Sequence, residues 1–174
     1  MNRIVLLTAA GLLAAGAQAQ TPPTAAPHTL WVSGGLGGAT FLSGASEGAF
    51  AGLATINYGF GGSLLTLRAG TVGELFGSSA WDGSVLYGHA FRGRYTRTTV
   101  AAGVGLAGGC HANSPTLLGG TCDVVPTGIA FPLQLSASFL PLHSLGIGLV
   151  AFADVSRHLS FAGAAVDLEI GKLR

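Results

Sequence analysis

The sequence predicts an all-β fold, an eight-stranded antiparallel up-and-down transmembrane β-barrel. Hydrophobic residues make up 49% of the chain and charged residues only 9%, against roughly 25% charged residues in soluble domains. After Ala19 no uninterrupted apolar stretch reaches the ~18 residues that a membrane helix needs. The 29 glycines disfavour helices and suit tight turns. A membrane-spanning chain without helices must close its strands into a barrel, because backbone groups in hydrocarbon need internal partners.

The first 19 residues have the pattern of a secretory signal peptide. Arg3 precedes an apolar run from Ile4 to Ala15, and Ala17 and Ala19 form an A-x-A cleavage pattern. We therefore expect three parts: a signal peptide over 1–19, a short proline-containing lead-in over 20–29, and an outer-membrane β-barrel over 30–174.

Period-two alternation is clearest in the last third of the chain. From Ile129 to Phe139, large apolar residues alternate with small and polar ones. From Ala162 to Gly171, apolar residues alternate with Asp167 and Glu169. Barrel strands place alternate side chains toward lipid and toward the lumen, so each segment is predicted to be a strand with one lipid-facing side.

Two earlier segments place a cation on the small, polar face. From Ser63 to Val72 this residue is Arg68, and from Tyr95 to Ala107 it is Arg97. Four further segments have strand length and β-forming residues, although both faces are apolar or glycine-rich in places. They are Leu30 to Ala39, Ala49 to Phe60, Trp81 to Phe91 and Leu145 to Asp154. The total is eight strands.

The connections between these strands mostly alternate in length, as the outer loops and periplasmic turns of membrane barrels do. Short turns are expected at Gly61-Gly62, at Arg92-Gly93 and from Leu140 to His143. Long loops follow the first, third and fifth strands, and the longest runs from Gly108 to Pro126. The last connection, Val155 to His158, has the position of an outer loop but is short.

This combination resembles the small eight-stranded outer-membrane barrels that include the transmembrane domain of OmpA and the OmpX and PagP types. The resemblance covers nearly the whole chain after Ala19. It implies an outer-membrane location, contact with outer-membrane lipid, and insertion by the barrel-insertion machinery. Those families end on an aromatic residue, whereas this chain ends with the segment Ile170 to Arg174. That ending resembles those of uncharacterised barrel proteins of the Bacteroidetes.

The only two cysteines, Cys110 and Cys122, fall in the longest predicted loop. In an exported chain they predict a disulfide, worth about 3 kcal/mol in the loop-entropy account. A metal site that includes His111 is the alternative, and an oxidising compartment favours the bridge. No cofactor is predicted.

Charged side chains are also predicted on the lumen faces of the strands. An eight-stranded barrel is just filled by its side chains, so it leaves no aqueous channel, and buried charges must be paired. We therefore predict a structural ion network in the lumen, in preference to an ion or proton path or a general porin. Its members are Arg68, Arg97, Asp82, Asp167 and Glu169.

His158, Ser160 and Glu169 resemble the catalytic arrangement of outer-membrane lipid A deacylases. A serine hydrolase needs a base beside the hydroxyl and an acid that orients the base. Strand parity turns Glu169 to the face opposite Ser160, and Phe161 stands where those enzymes have an asparagine. No catalytic residue is therefore predicted.

Composition also bounds the partners of the chain. A net charge of +1 offers no basic footprint for nucleic acid, and aromatic residues near strand ends are typical of interfacial girdles. We expect a non-enzymatic outer-membrane barrel with a structural or surface-interaction role and an unidentified surface ligand. The alternatives are a lipid-modifying barrel enzyme and a secreted soluble β-barrel or sandwich that binds a ligand.

Overall fold

The computed structural model describes residues 28–42, 48–74, 78–112 and 122–173, without the side chains of residues 111, 112 and 122. Eight antiparallel strands follow one another around a closed barrel, in which β1 pairs with β8. This confirms the predicted fold class. The predicted signal peptide and most of the lead-in lie outside the described residues. The strands are β1 (Thr29–Phe41), β2 (Ala49–Phe60), β3 (Ser63–Gly73), β4 (Ser79–Arg92), β5 (Thr96–Ala112), β6 (Cys122–Phe139), β7 (Leu145–Ser156) and β8 (Phe161–Lys172).

Within the described ranges, no helix is long and apolar enough to span a membrane.

Each strand buries alternate side chains in the lumen and exposes the others. In β6, for example, Ser136 and Ser138 are buried while Leu133 and Phe139 are more than half exposed. In β7, whose two faces are both apolar in sequence, Val150 and Phe152 turn inward, as the lipid-facing placement of Ile147 and Leu149 requires. The outer surface is therefore a continuous apolar band around a lumen of mixed character.

The three predicted short turns lie at one end of the barrel, here called the turn end. Gly61 and Gly62 join β2 to β3 with φ of 56° and 88°. Two positive φ values are those of a type I′ hairpin turn, which glycine adopts without steric cost. The other connections lie at the opposite end, here called the loop end.

The prediction of a loop from Gly108 to Pro126 is wrong for the residues of this segment that the structure describes, 108–112 and 122–126, which are strand. β5 continues to Ala112 and β6 begins at Cys122. The pairing passes a bulge: Ala107 pairs with Gly128 and Gly109 with Val125, so one residue of β5 faces two of β6. Pro126 lies in that bulge, where a ladder tolerates a residue without an N–H. The bulge breaks strict alternation, which is why the pattern read as a loop.

Two apolar clusters lie in the lumen, one near each end. At the loop end, Phe41, Phe152 and Phe161 are buried in a cluster that includes alanine side chains of four strands, β1, β2, β4 and β8. At the turn end, a smaller cluster consists of Trp31, Leu64, Leu140 and Leu173. The charged side chains of the lumen lie between these two clusters.

Candidate functional site

Arg68 is the centre of the first ion cluster of the lumen, the Arg68 cluster, which is formed by Arg68, Asp82 and Asp154. Its Nη2 lies 2.9 Å from Oδ2 of Asp82 on the neighbouring β4, and its Nε donates to the same oxygen at 3.0 Å. The same Nη2 also donates to Oδ2 of Asp154 on β7. All three side chains are fully buried. The cluster therefore joins β3 and β4 to β7, on another part of the barrel wall.

Arg97 on β5 is the centre of a second cluster, the Arg97 cluster, formed by Arg97, Glu169, Ser138 and Trp31. Nη2 of Arg97 donates to Oε2 of Glu169 on β8, and the Ser138 hydroxyl on β6 donates to Oε1 at 2.8 Å. The guanidinium carbon of Arg97 lies 3.6 Å from the ring centroid of Trp31 on β1. Arg97 thus has one acid at its edge and an aromatic ring on its face.

Asp167, another residue predicted in the lumen network, lies in the lumen but has a different environment. It is 5% exposed, and no cation lies within 4.0 Å of it among the described residues. Its buried Oδ1 has no hydrogen-bond partner among the described residues. Of the five predicted residues, Arg68 and Asp82 thus share one cluster, Arg97 and Glu169 share the other, and Asp167 belongs to neither.

Two lumen residues escaped the sequence prediction. Asp154 is fully buried and paired with Arg68, and the signal for it was available: it follows Val150 and Phe152 at two-residue spacing in the same strand. Arg92, at the end of β4, is partly buried and donates to the Thr29 hydroxyl at 2.8 Å. Its position at a strand end, next to the turn, hides its inward direction.

Neutral polar side chains occupy the lumen wall between the charged groups. A chain of hydrogen bonds runs across β1, β2 and β3, from Ser33 to Thr55 at 2.8 Å, from Asn57 to Thr55 at 2.5 Å, and from Thr66 to Asn57 at 2.7 Å. A separate bond joins Thr99 to Ser136 at 2.6 Å. Ion pairs and hydrogen-bonded hydroxyls link the strands to one another, and these links favour a rigid barrel wall.

Metal binding finds no support in the part of the chain that the structure describes. No group of three or more His, Cys, Asp or Glu side chains there has a geometry that could hold an ion. His28, His89 and His143 are exposed at the turn end. The first stacks on Tyr58 and contacts its hydroxyl at 2.9 Å.

The structure separates the three residues that resemble a hydrolase triad. Ser160 precedes β8 and its hydroxyl donates to the carbonyl of Ser156 at 3.0 Å, which closes the β7–β8 turn. His158 is exposed in the same turn. Glu169 lies in the lumen, paired with Arg97 near the other end of β8. Glu169 therefore orients neither of the other two side chains.

The aromatic residues divide between the lumen and the outer surface. Trp31 is buried against Arg97. Tyr58, Tyr87, Phe91 and Tyr95 are exposed on the turn-end half of the outer surface, and Trp81 is exposed near the loop end. Exposed aromatic residues at both levels match the girdles of membrane barrels.

The β5–β6 hairpin extends farthest at the loop end. Its pairs reach Cys110 with Val124 and Ala112 with Cys122, whereas β7 pairs with β6 only from Ala130 onward. Cys110 and Cys122 therefore stand two residues apart along adjacent strands, near the tip of the described hairpin. The side chain of Cys122 lies outside the described ones, so the disulfide stays a prediction.

Solved structures of outer-membrane proteins share this fold, among them the following three. Neisserial surface protein A matches with a TM-score of 0.64 and 9% identity, over 85% of this chain and 99% of that one. Ail, the attachment invasion locus protein of Yersinia pestis, matches with a TM-score of 0.59 and 12% identity, over 83% and 97%. The N-terminal β-barrel domain of Pseudomonas aeruginosa OprF matches with 0.57 and 12%, over 81% and 97%. No protein-family model and no curated protein matches the chain. The chain thus has the fold of the small eight-stranded outer-membrane barrels.

Proposed function

We propose that this protein is a non-enzymatic barrel of an outer membrane that presents its β5–β6 hairpin to partners at the cell surface. The observation that carries the proposal is the combination of an apolar outer band with a lumen that holds two buried ion clusters and two apolar clusters. These features favour a membrane-embedded barrel without a conducting path, so its loop end is the surface that it offers to partners.

The outer band supports membrane placement. Large apolar side chains are exposed on all eight strands, among them Leu36 at 78% and Leu149 at 64% exposure. Soluble monomers rarely expose contiguous apolar patches beyond a few hundred Å². A lipid environment removes that cost, because the hydrocarbon core accepts apolar side chains around the whole circumference.

The lumen argues against a transport role. The Arg68 cluster spans it, and clusters of buried apolar side chains lie near both ends. Breaking a buried ion pair leaves an uncompensated charge and costs several kcal/mol. A solute path would have to break these contacts, which favours a structural role for the lumen.

The β5–β6 hairpin supports the surface role. Val124 is 82% exposed, the largest exposure among the large hydrophobic residues of the described chain, and Asp123 beside it is also exposed. Cys110 pairs with Val124 in the ladder of this hairpin, and a disulfide between Cys110 and Cys122 would constrain its backbone further. A surface whose backbone is already constrained loses less conformational entropy when it binds.

Fractionation tests the placement. The protein is expected to appear in the outer-membrane fraction, and its unheated form is expected to migrate differently on a gel from the boiled form, because a closed ladder resists detergent.

Thiol-reactive dye applied to unreduced intact cells should leave both cysteines unlabelled, and label them after reduction. Recovery in the soluble periplasm would overturn membrane placement, and labelling without reduction would overturn the disulfide.

The lipid-hydrolase alternative has a separate test. Cells that express the wild-type protein, Ser160→Ala or His158→Ala are expected to have the same lipid A composition by mass spectrometry, since Ser160 closes a turn and Glu169 is committed to Arg97. Removal of an acyl chain by the wild type but not by Ser160→Ala would establish the enzyme instead.

A further inference from the structure

A groove crosses the lipid-facing surface from β3 to β7, with a volume of about 850 Å³. Its edge on the turn-end side follows one row of paired residues, from Ser63 through His89, Val100 and Leu135 to Ala151. The next row contains Ala102 and Ala153, whose small side chains leave space beside the large side chains of Tyr87 and Leu133. We propose that this groove, here called the β3–β7 groove, binds one acyl chain of an anionic phospholipid from the turn-end leaflet, with the headgroup at its Ser63 end.

The path of the groove fits one leaflet. It begins at Ser63, the first residue of β3 at the turn end, and reaches Ala151 in the middle of β7. Five adjacent strands spaced ~4.8 Å apart give a length of roughly 19 Å. With strands tilted by ~40°, a row perpendicular to them climbs about 12 Å, close to half of the ~30 Å hydrocarbon core.

The two ends of the groove differ in polarity. At the turn end, the hydroxyls of Ser63 and Tyr87 lie 3.0 Å apart, and His89 is exposed beside them. Toward β7 the outward side chains that line it are alanine and leucine. A polar mouth followed by an apolar track has the polarity of a phospholipid that enters from the headgroup region.

Charge complementarity selects an anionic headgroup. Among the described residues, the exposed charged side chains of the turn end are the cations Arg94 and Lys172, with His28, His89 and His143. The carboxylates of the turn-end half, Asp167 and Glu169, are buried in the lumen. Glu74 and Asp123, the acids that reach the surface, lie at the loop end. Phosphate is therefore attracted to the turn end.

The experiment uses the full chain inserted into vesicles of phosphatidylcholine with one fifth phosphatidylglycerol, then measures retained lipid by native mass spectrometry. The wild type is expected to retain phosphatidylglycerol at least about fivefold more than its share of the mixture, equivalent to ~1 kcal/mol. Ala102→Phe and Ala151→Phe fill the groove from the outward face and should abolish this enrichment, and Tyr87→Phe should reduce it. Ala54→Phe, also outward but on β2, is the matched control and should keep it.

The outcomes separate this inference from the membrane placement on which it rests. Failure of the wild type to insert would overturn both. Insertion with equal retention of the two lipids, or with enrichment unchanged in both Phe variants, would overturn the lipid site alone. A dimer that Ala102→Phe and Ala151→Phe dissociate would assign the groove to a second copy of the chain and also overturn the proposal. Heat-dependent gel migration verifies that each variant is folded.

Discussion

The two ion clusters of the lumen each pair a buried arginine, but with different partners. Arg68 is shared by two acids, Asp82 and Asp154, on strands that are not neighbours. Arg97 has one acid, Glu169, which also accepts a bond from Ser138, and an aromatic ring covers its face. Removal of Arg68 leaves two buried carboxylates without a cation, of which Asp82 keeps a hydrogen bond from the Ser84 hydroxyl, whereas removal of Arg97 leaves only one, which keeps a bond from Ser138. The number of acids stranded, more than the burial of the arginine, should therefore set the cost.

Arg68→Met should have the largest effect. It strands both acids of the Arg68 cluster, so the free energy of unfolding is expected to fall by about 3–5 kcal/mol. Urea unfolding in lipid vesicles measures the change. The matched control adds Asp82→Asn and Asp154→Asn to Arg68→Met and should recover part of the loss. A cost below about 0.5 kcal/mol would mean that these side chains are solvated.

Arg97→Met should cost less, about 2–3 kcal/mol, because Glu169 still accepts the Ser138 hydroxyl. The same urea titration gives the value. Adding Ser138→Ala to Arg97→Met removes the remaining bond and should bring the loss toward that of Arg68→Met. If Arg97→Met alone costs more than Arg68→Met, the count of stranded acids does not govern the energetics.

Coupling energies sharpen the distinction between the clusters. The ring of Trp31 stacks on Arg97, so the double-mutant cycle of Trp31→Leu with Arg97→Met should give about 1 kcal/mol of coupling. The cycle of Trp31→Leu with Arg68→Met should be additive within about 0.5 kcal/mol. Equal coupling in both cycles would show that the lumen responds as one network.

Asp167→Asn should have the smallest effect, a change below about 0.5 kcal/mol in the free energy of unfolding. The replacement keeps the shape of the side chain and removes a charge that has no cation within 4.0 Å among the described residues. Asp82→Asn, which removes a paired charge, is the control and should cost more. Equal costs would make Asp167 a full member of an ion network.

Alternation of residue type was enough to predict the fold and the face of most lumen residues. It works because a closed barrel imposes opposite solvents on the two sides of each strand, as in β6 and β8. Asp154 was within its reach, since Val150 and Phe152 define the inward face of β7. It was missed because that strand is apolar on both faces, which hides the alternation.

Contacts across the lumen were beyond prediction. That Arg68 reaches Asp154, or that Arg97 lies under Trp31, depends on the stagger of strands around the barrel, which no local pattern encodes. The extension of the β5–β6 hairpin was missed for another reason. A bulge beside Gly108 shifts the register by one residue, and Pro126 within it resembles a strand terminator.

The contact between β1 and β8 has a consequence for how the barrel closes. These strands come from opposite ends of the domain, and glycine and alanine dominate the middle of their contact, where a Cβ on Gly37 would lie 2.0 Å from the carbonyl oxygen of Ala164. Small side chains do not hinder the pairing of the two strands, but they also specify its register weakly. Bulky pairs mark the loop end, Phe41 opposite Phe161, and Trp31 marks the turn end. We therefore expect the register of the β1–β8 pairing to be set by the large side chains at its two ends.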